Sequence, residues 1–207
     1  MFASLTSNRT RLAQFGLVFT TLAWGATFVL VKEGLNYSHP FTFGAYRFLI
    51  ATICTAFLVR SQIFQLNKRE FYSAILCGFF LFAGYAFQNF GLWENEFYTS
   101  TTPSKSAFIT SISIVMVPIM LVVAGLQKVS SRIWTAIILA IIGLYLLLDP
   151  TGSGISLGDM FTFGCATCFA IHIILQDRYA KKGIHVTRFF LIQVTAVTVF
   201  SFICSFI

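Results

Sequence analysis

The chain has 207 residues, of which 57% are hydrophobic and 10% are charged, and its formal net charge is +7. Its mean hydropathy of +0.82 lies outside the range of soluble globular proteins. The basic residues are spread over several loops and do not form one continuous stripe, which argues against a nucleic-acid-binding protein. The composition therefore predicts an all-α integral membrane protein in a lipid bilayer.

Seven stretches with little charge follow one another along the chain. They cover residues 12–31, 48–59, 71–93, 106–127, 133–148, 160–176 and 189–207. A helix needs about 20 apolar residues to cross a bilayer, so we predict about seven transmembrane helices. The second stretch extends back to Pro40 if Arg47 is tolerated within it. The first lacks a small-residue cleavage site, so we interpret it as a retained helix and not as a signal peptide.

Basic and acidic loops alternate between these stretches. Basic residues of one set of loops are Arg9, Arg11, Arg60, Lys68, Arg69, Lys128, Arg132, Arg178, Lys181, Lys182 and Arg188. The other loops carry Lys32 and Lys105 with Glu33, Glu94, Glu96, Asp149 and Asp159, of which we expect Glu94 and Glu96 to be solvated loop charges. By the positive-inside rule the amino terminus is predicted to be cytoplasmic.

In the first span, Trp24 shares a helical face with Thr20, Thr21 and Thr27. This polar stripe interrupts an otherwise apolar helix, so we expect that face to line the bundle interior. Trp24 and Thr27 are candidates for a substrate path. Packing of the Trp24 indole against a neighbouring helix is the alternative.

Arg47 is the charged residue that lies inside a span. A charge there costs about 2.5–3.5 kcal/mol on insertion scales and usually faces protein or water. Gly44, Ala51, Cys54 and Thr55 share its helical face, whereas Leu49, Ile53 and Phe57 lie opposite, so Arg47 is predicted to point into the bundle. It either binds an anion or gates the path, or it ties helix ends together through backbone carbonyls.

The fourth span carries a hydroxyl stripe of Ser106, Thr110 and Ser113. Such side chains either line a hydrophilic path or form hydrogen bonds between helices. Thr102 is expected to cap this helix ahead of Pro103, and Pro118 is expected to kink it.

In the sixth span, Cys165, Cys168 and His172 share one face at spacings i, i+3 and i+7. Three such side chains would suit zinc or copper, but a closed site needs a fourth ligand, so we predict neither a metal nor a cofactor. His172 is instead a candidate for the substrate path and for proton coupling, because its reference pKa is about 6.5. All five cysteines fall in apolar spans, so a disulfide framework is not expected.

Two parts of the chain resemble each other in sequence. Trp24-Gly25-Ala26-Thr27 aligns with Phe169-Ala170-Ile171-His172, and Arg47 aligns with Gln193, at offsets of 145 and 146. Spans one and two thus correspond to spans six and seven. A unit of five crossings is odd, so its copy is inverted, as in many secondary transporters. The second copy stops after two spans, from which we expect the chain to be a fragment.

Three motifs together resemble the drug/metabolite transporter superfamily, in its EamA-like branch. They are Leu22-Ala23-Trp24-Gly25-Ala26-Thr27-Phe28 with Lys32, then Ala45-Tyr46-Arg47-Phe48-Leu49, then Ser104-Lys105-Ser106-Ala107-Phe108-Ile109-Thr110 with Val117-Pro118. The resemblance implies a ten-helix inverted-repeat carrier with cytoplasmic ends. Residues 1–148 would be its first five-helix repeat, and residues 149–207 would begin the second.

The predicted function is a secondary transporter that moves a small metabolite or drug-like solute by alternating access, with proton coupling left open. We expect it in a bacterial inner membrane, with a homodimer left open as well. The alternatives are a membrane-embedded enzyme and a signalling seven-helix protein. No span contains an interior Asp or Glu, and the chain has neither a G-x-S-x-G elbow nor a P-loop. The last span also lacks a lysine for a retinal Schiff base.

Overall fold

The computed structural model describes residues 2–59, 67–128, 130–148 and 154–206. This part of the chain is helical and contains no strand. Its helices are α1 (Phe2–Leu35), α2 (Pro40–Val59), α3 (Lys68–Leu92), α4 (Pro103–Ser111), α5 (Ser113–Val123), α6 (Ser131–Leu148), α7 (Leu157–Ala180) and α8 (Val186–Ser205). The prediction of an all-α membrane protein is confirmed.

A described helix lies at each of the seven predicted stretches. Within the described residues, six segments are long and apolar enough to cross a membrane. The predicted span 133–148 corresponds to α6, which is 18 residues long and has a described apolar part over Ser131–Gly143. The predicted fourth span is present as α4 and α5 together, over Pro103–Val123.

α3 lies at the centre of the bundle and packs along α7 and α8, while α2 packs along α8 and both α4 and α5 pack against α7. Glycines let these helices approach closely. A Cβ placed on Gly78 would lie 2.8 Å from that of Ala196 on α8, and one on Gly91 would lie 2.6 Å from Thr162 Oγ1 on α7. Small residues at such crossings are typical of membrane helix packing.

Capping side chains fix where three helices begin. Asn67 accepts a hydrogen bond from the Arg69 N–H at the start of α3, and Thr102 accepts one from the Lys105 N–H at the start of α4. The predicted cap and the first-turn position of Pro103 are thus confirmed. Ser156 and Asp159 form a reciprocal capping box at the start of α7.

The fourth span is interrupted at Ile112, where the α4 hydrogen bonds end in a tighter turn. The Ile112 N–H donates to the Ile109 carbonyl, and the Val115 N–H donates to the Ile112 carbonyl. Pro118 lies within α5, six residues after this break. The break at Ile112 was not predicted, and the kink at Pro118 stays a prediction.

The helices alternate in direction, which places their loops at two ends. The end at which α3 and α8 begin and α7 ends carries Lys68, Arg69, Lys181, Lys182 and Arg188, and we call it the basic end. The end at which α3 ends and α7 begins carries Glu94, Glu96 and Asp159, and we call it the acidic end. The predicted separation of basic from acidic loops is therefore present in the fold.

Large apolar side chains cover the outside of the bundle. They are exposed on every long helix, as for Leu58 on α2, Ile114 on α5 and Leu146 on α6. An exposed apolar surface of this extent matches a lipid environment and not water. Residues 10–26 of α1 are exposed, whereas Phe28, Val31 and Leu35 in its last turns pack against the bundle.

Candidate functional site

Arg47 lies in the first half of α2, about 10 Å along the helix from Pro40 at 1.5 Å per residue. Its guanidinium carbon is 5.0 Å from the centre of the Tyr85 ring on α3 and 5.8 Å from that of Phe48. Nη1 is buried, and no atom of the described residues accepts a hydrogen bond from it. As predicted, the side chain points into the bundle.

The other residues that were predicted to share the inward face of α2 with Arg47 differ in how far they are buried. Gly44 is buried, Ala51 and Thr55 are half-buried, and Cys54 is exposed. Cys54 is exposed because α8 packs against a different side of α2. On that side, Thr52 Oγ1 lies 3.0 Å from Thr198 Oγ1.

Two amides of α3 lie one turn from Tyr85 on its own face. Gln88 and Asn89 are 3% and 2% exposed. Asn89 Nδ2 donates to the Pro40 carbonyl at 3.1 Å, whereas Gln88 Nε2 and Asn89 Oδ1 have no partner in the described residues. A Cβ on Gly44 would lie 3.5 Å from Asn89 Nδ2, so these amides flank the α2 segment that carries Arg47.

Gln193 of α8 is another buried amide, and it lies beside Gly78, about three turns of α3 closer to the basic end than Gln88. It is 1% exposed, and neither its oxygen nor its nitrogen has a partner in the described residues. The backbone of Gln193 lies against Gly78 of α3. The sequence analysis missed Tyr85, Gln88 and Asn89 and named Gln193 only as the repeat equivalent of Arg47, because isolated polar positions in apolar spans carry no periodic signal.

The hydroxyl stripe of the fourth span faces α7. Ser106, Thr110 and Ser113 are all buried. Thr110 Oγ1 lies 4.0 Å from Cys165 Sγ, and Ser106 Oγ has no hydrogen-bond partner in the described part of the chain. The three predicted side chains therefore form one buried row between α4, α5 and α7.

His172 and the two cysteines of α7 do not form a joint site. His172 Nδ1 lies 3.0 Å from the Cys77 carbonyl oxygen of α3. Cys165 is fully buried, and Cys168 is half-buried. Over the ranges that the structure describes, no three His, Cys, Asp or Glu side chains come together in a way that could hold a metal ion.

Trp24 and Thr27 lie apart from the Arg47 group. Trp24 continues the packed face of Phe28, but it is 46% exposed because α1 leaves the bundle at that level. The Thr27 hydroxyl donates to the Trp24 carbonyl of its own helix at 2.6 Å. In the described residues, the Trp24 face therefore does not line the interior as expected.

A buried ion pair closes the basic end. Arg188 Nε donates to Glu70 Oε1 at 2.9 Å, and Arg188 Nη2 donates to Glu70 Oε2 at 2.6 Å. Arg188 is 8% exposed and Glu70 7%. The pair joins the first turns of α3 and α8 beside a pocket of about 400 Å³ that also includes Lys182.

The acidic end is held by one exposed ion pair and several backbone contacts. Lys32 Nζ lies 2.8 Å from Glu94 Oε1, and this hydrogen bond and the lysine charge hold the pKa of Glu94 below its usual value. The Thr101 N–H donates to the Gly91 carbonyl at 2.8 Å, and the Thr101 hydroxyl donates to Asp159. Glu94, expected to be a solvated loop charge, is thus paired.

A model of the EamA-like transporter family matches residues 11–149. The chain belongs to the EamA-like transporter family. An "Uncharacterized transporter" of Archaeoglobus fulgidus (strain ATCC 49558 / DSM 4304 / JCM 9628 / NBRC 100126 / VC-16) is 32% identical over 169 residues, which cover 82% of this chain and 50% of that protein. The chain thus spans about half the length of this relative. No solved structure matches it.

Membership of the EamA-like family confirms the resemblance that the three motifs indicated. The family is one of transporters, and the printed name of the archaeal relative describes that protein as a transporter too. The matched residues include α1 from Arg11 onward and all of α2 to α6, and therefore Arg47, Tyr85 and the hydroxyl stripe of α4 and α5.

Proposed function

We propose that this chain acts in a secondary transporter that moves a small organic solute by alternating access. The observation that carries the proposal is a set of buried polar atoms on Arg47, Gln88 and Gln193 that have no hydrogen-bond partner in the described residues, inside a bundle with an apolar surface. Lipid cannot form hydrogen bonds with such groups. Polar and charged side chains at this depth mark solute or ion pathways in membrane proteins.

The contacts at the two ends of α3 support a gated path. A solute near Arg47 is separated from the basic end by the Glu70–Arg188 pair. It is separated from the acidic end by the contacts of Thr101 with Gly91 and Asp159. Alternating access requires that the contacts at one end open while those at the other end stay closed. Residues of α3 take part in the contacts at both ends.

The inverted repeat is part of the proposal. Thr52 and Thr198, whose hydroxyl oxygens lie 3.0 Å apart, are separated by 146 residues, the offset that aligns Arg47 with Gln193. Residues that contact their own repeat equivalents lie on the axis relating the repeats. This supports a two-fold axis in the membrane plane between α2 and α8, with residues 1–148 in one unit and 149–207 in the other.

The observations that bear on the other residues predicted to line the path differ from residue to residue. Ser106, Thr110 and Ser113 are supported by their burial and by the unpartnered Ser106 hydroxyl. His172 is supported by its position between α7 and α3. The roles of Trp24 and Thr27 and the coupling to protons stay predictions.

Orientation and location are further parts of the proposal, with a cytoplasmic amino terminus in a bacterial inner membrane. An impermeant maleimide applied to intact cells should label Glu96→Cys and not Lys68→Cys, because the two positions lie at opposite ends of α3. Labelling at position 68 would contradict the orientation. The homodimer stays a prediction, which the mass of the detergent-solubilised protein tests.

Transport itself is tested in liposomes filled with a defined mixture of amino acids, carboxylates and amines, with efflux followed by mass spectrometry. The purified chain should release at least one solute saturably and without ATP. Arg47→Gln should slow this release about tenfold or more, as loss of a charged hydrogen-bond partner does. The control Arg132→Gln removes an exposed arginine at the start of α6 and should not. Release no faster than from protein-free liposomes would contradict the function.

A further inference from the structure

Arg47 has no negative partner in the described part of the chain. Of the acidic residues there, Glu70 pairs with Arg188, Glu94 with Lys32 and Asp177 with Lys181. Glu33 and Glu96 are exposed, and Asp159 is engaged by Thr101 and Ser156 at the acidic end. All of them lie at or near helix ends, whereas Arg47 lies well inside α2.

The surroundings of Arg47 leave its hydrogen-bonding capacity unused. A guanidinium carries five N–H donors in a planar fork that matches a carboxylate. The Tyr85 ring stabilises the positive charge through its face, but it accepts no hydrogen bond in the guanidinium plane. The buried Gln88 Nε2, one turn from Tyr85, is a second unused donor on the facing helix.

We propose that Arg47 binds the carboxylate of the transported solute, and that this solute is a small organic monoanion with an apolar body. The inference rests on the transporter function proposed above. One unpaired interior cation balances one negative charge, which favours a monocarboxylate over a polyphosphate or a dication. An amino acid is disfavoured, because no described carboxylate lies in the interior to pair with its ammonium group.

The rings beside Arg47 supply the apolar part of the site. Tyr85 lies edge-to-face against Phe48 at 4.7 Å between ring centres and against Phe169 at 5.2 Å. These three rings join α2, α3 and α7 next to the guanidinium. A solute whose carboxylate reaches Arg47 therefore has aromatic surface for its hydrocarbon portion.

The test measures thermal unfolding of the purified chain in detergent at constant ionic strength, with ligands that differ mainly in charge. Phenylacetate, hexanoate, phenylalanine and phenethylamine are each titrated to 10 mM. At least one of the two carboxylates should raise the unfolding temperature saturably, and the amine should not. Phenylalanine should act at least tenfold more weakly than the effective carboxylate.

Variants then assign the effect to Arg47. Arg47→Gln should weaken carboxylate binding roughly 10- to 100-fold, the range expected for a charged hydrogen bond. Arg47→Lys keeps the charge without the fork and should fall between Gln and wild type, while Arg132→Gln should bind normally. The proposal is overturned if neither carboxylate stabilises the protein, if phenethylamine or phenylalanine does so equally, or if Arg47→Gln binds as wild type.

Liposome efflux separates this inference from the transporter function. Carboxylate binding that requires Arg47, without any efflux, would contradict the transport function and leave the anion site standing. Efflux of an amine or an amino acid that does not depend on Arg47 would overturn the anion site and leave the transport function standing.

Discussion

The two ends of α3 are closed by different chemistry. At the basic end, Arg188 and Glu70 form a bidentate ion pair in which both side chains are buried. At the acidic end, the backbone N–H of Thr101 donates to the Gly91 carbonyl, and Lys32 donates to the Thr101 carbonyl while it pairs with Glu94, whose side chain is 65% exposed. The closure at the basic end depends mainly on charge, and the closure at the acidic end depends mainly on how closely two backbone segments can approach.

This difference determines what disturbs each end. A buried pair is sensitive to loss of either partner, because the remaining charge stays in a dry environment. A close backbone contact is insensitive to charge and sensitive to any added side chain. Perturbations of charge should therefore act mainly at the basic end, and perturbations of volume should act mainly at the acidic end.

The largest effect is expected from Arg188→Gln. It leaves Glu70 buried without its cation and should lower the free energy of unfolding by about 3–5 kcal/mol. Equilibrium unfolding in detergent measures this loss. The double variant Glu70→Leu with Arg188→Leu should recover part of it, because no charge is then left unpaired. A double variant less stable than Arg188→Gln would show that the pair's charge is not the cause.

An intermediate effect is expected from Gly158→Ala on α7. Its new Cβ would lie 2.7 Å from the Gly91 carbonyl oxygen and against the backbone of Thr101, so the acidic end would have to separate. Overpacking of this kind costs roughly 1–3 kcal/mol, measured by the same unfolding assay. Gly25→Ala is the control, because nothing lies within 4 Å of its Cβ. Equal behaviour of the two variants would contradict the steric closure.

The smallest effect is expected from Glu94→Gln, at less than about 1 kcal/mol, because the Glu94 side chain is 65% exposed. The pKa of Glu94 is lowered in the folded protein, so its stabilising contribution is present above the ordinary value of 4.5 and is lost as the pH falls through the lowered pKa. The unfolding free energies of wild type and Glu94→Gln should therefore converge below pH 4.5.

The control for Glu94→Gln is Glu96→Gln, which changes an exposed glutamate two residues away. It should match wild type at every pH. A constant difference between Glu94→Gln and wild type from pH 7 down to pH 3 would show that the Lys32 pair is not responsible.

Local sequence signals predicted the helices and several of their details. The capping of α4 by Thr102, the burial of Ser106, Thr110 and Ser113, and the inward direction of Arg47 all follow from helical periodicity, because residues three and four apart share a face. The separation of basic from acidic loops followed from counting charges. These features depend on residues that are close in the sequence.

Features that depend on tertiary packing were missed. Glu70 and Arg188 are 118 residues apart, and nothing near either residue indicates its partner. The exposure of Cys54 and Trp24 depends on where neighbouring helices stop, which periodicity does not encode. The break of the fourth span at Ile112 was also missed, because no glycine or proline at that position signals it.

The glycines of α3 have a consequence at the level of the genetic code. Gly78 and Gly91 face α8 and α7 with no room for a Cβ, whereas Gly16 and Gly25 of α1 face open space. Every missense change of one nucleotide in a glycine codon inserts a residue that has a Cβ. Under selection for function, codons 78 and 91 should therefore tolerate almost no single-nucleotide missense change, while codons 16 and 25 accept small residues such as alanine and serine.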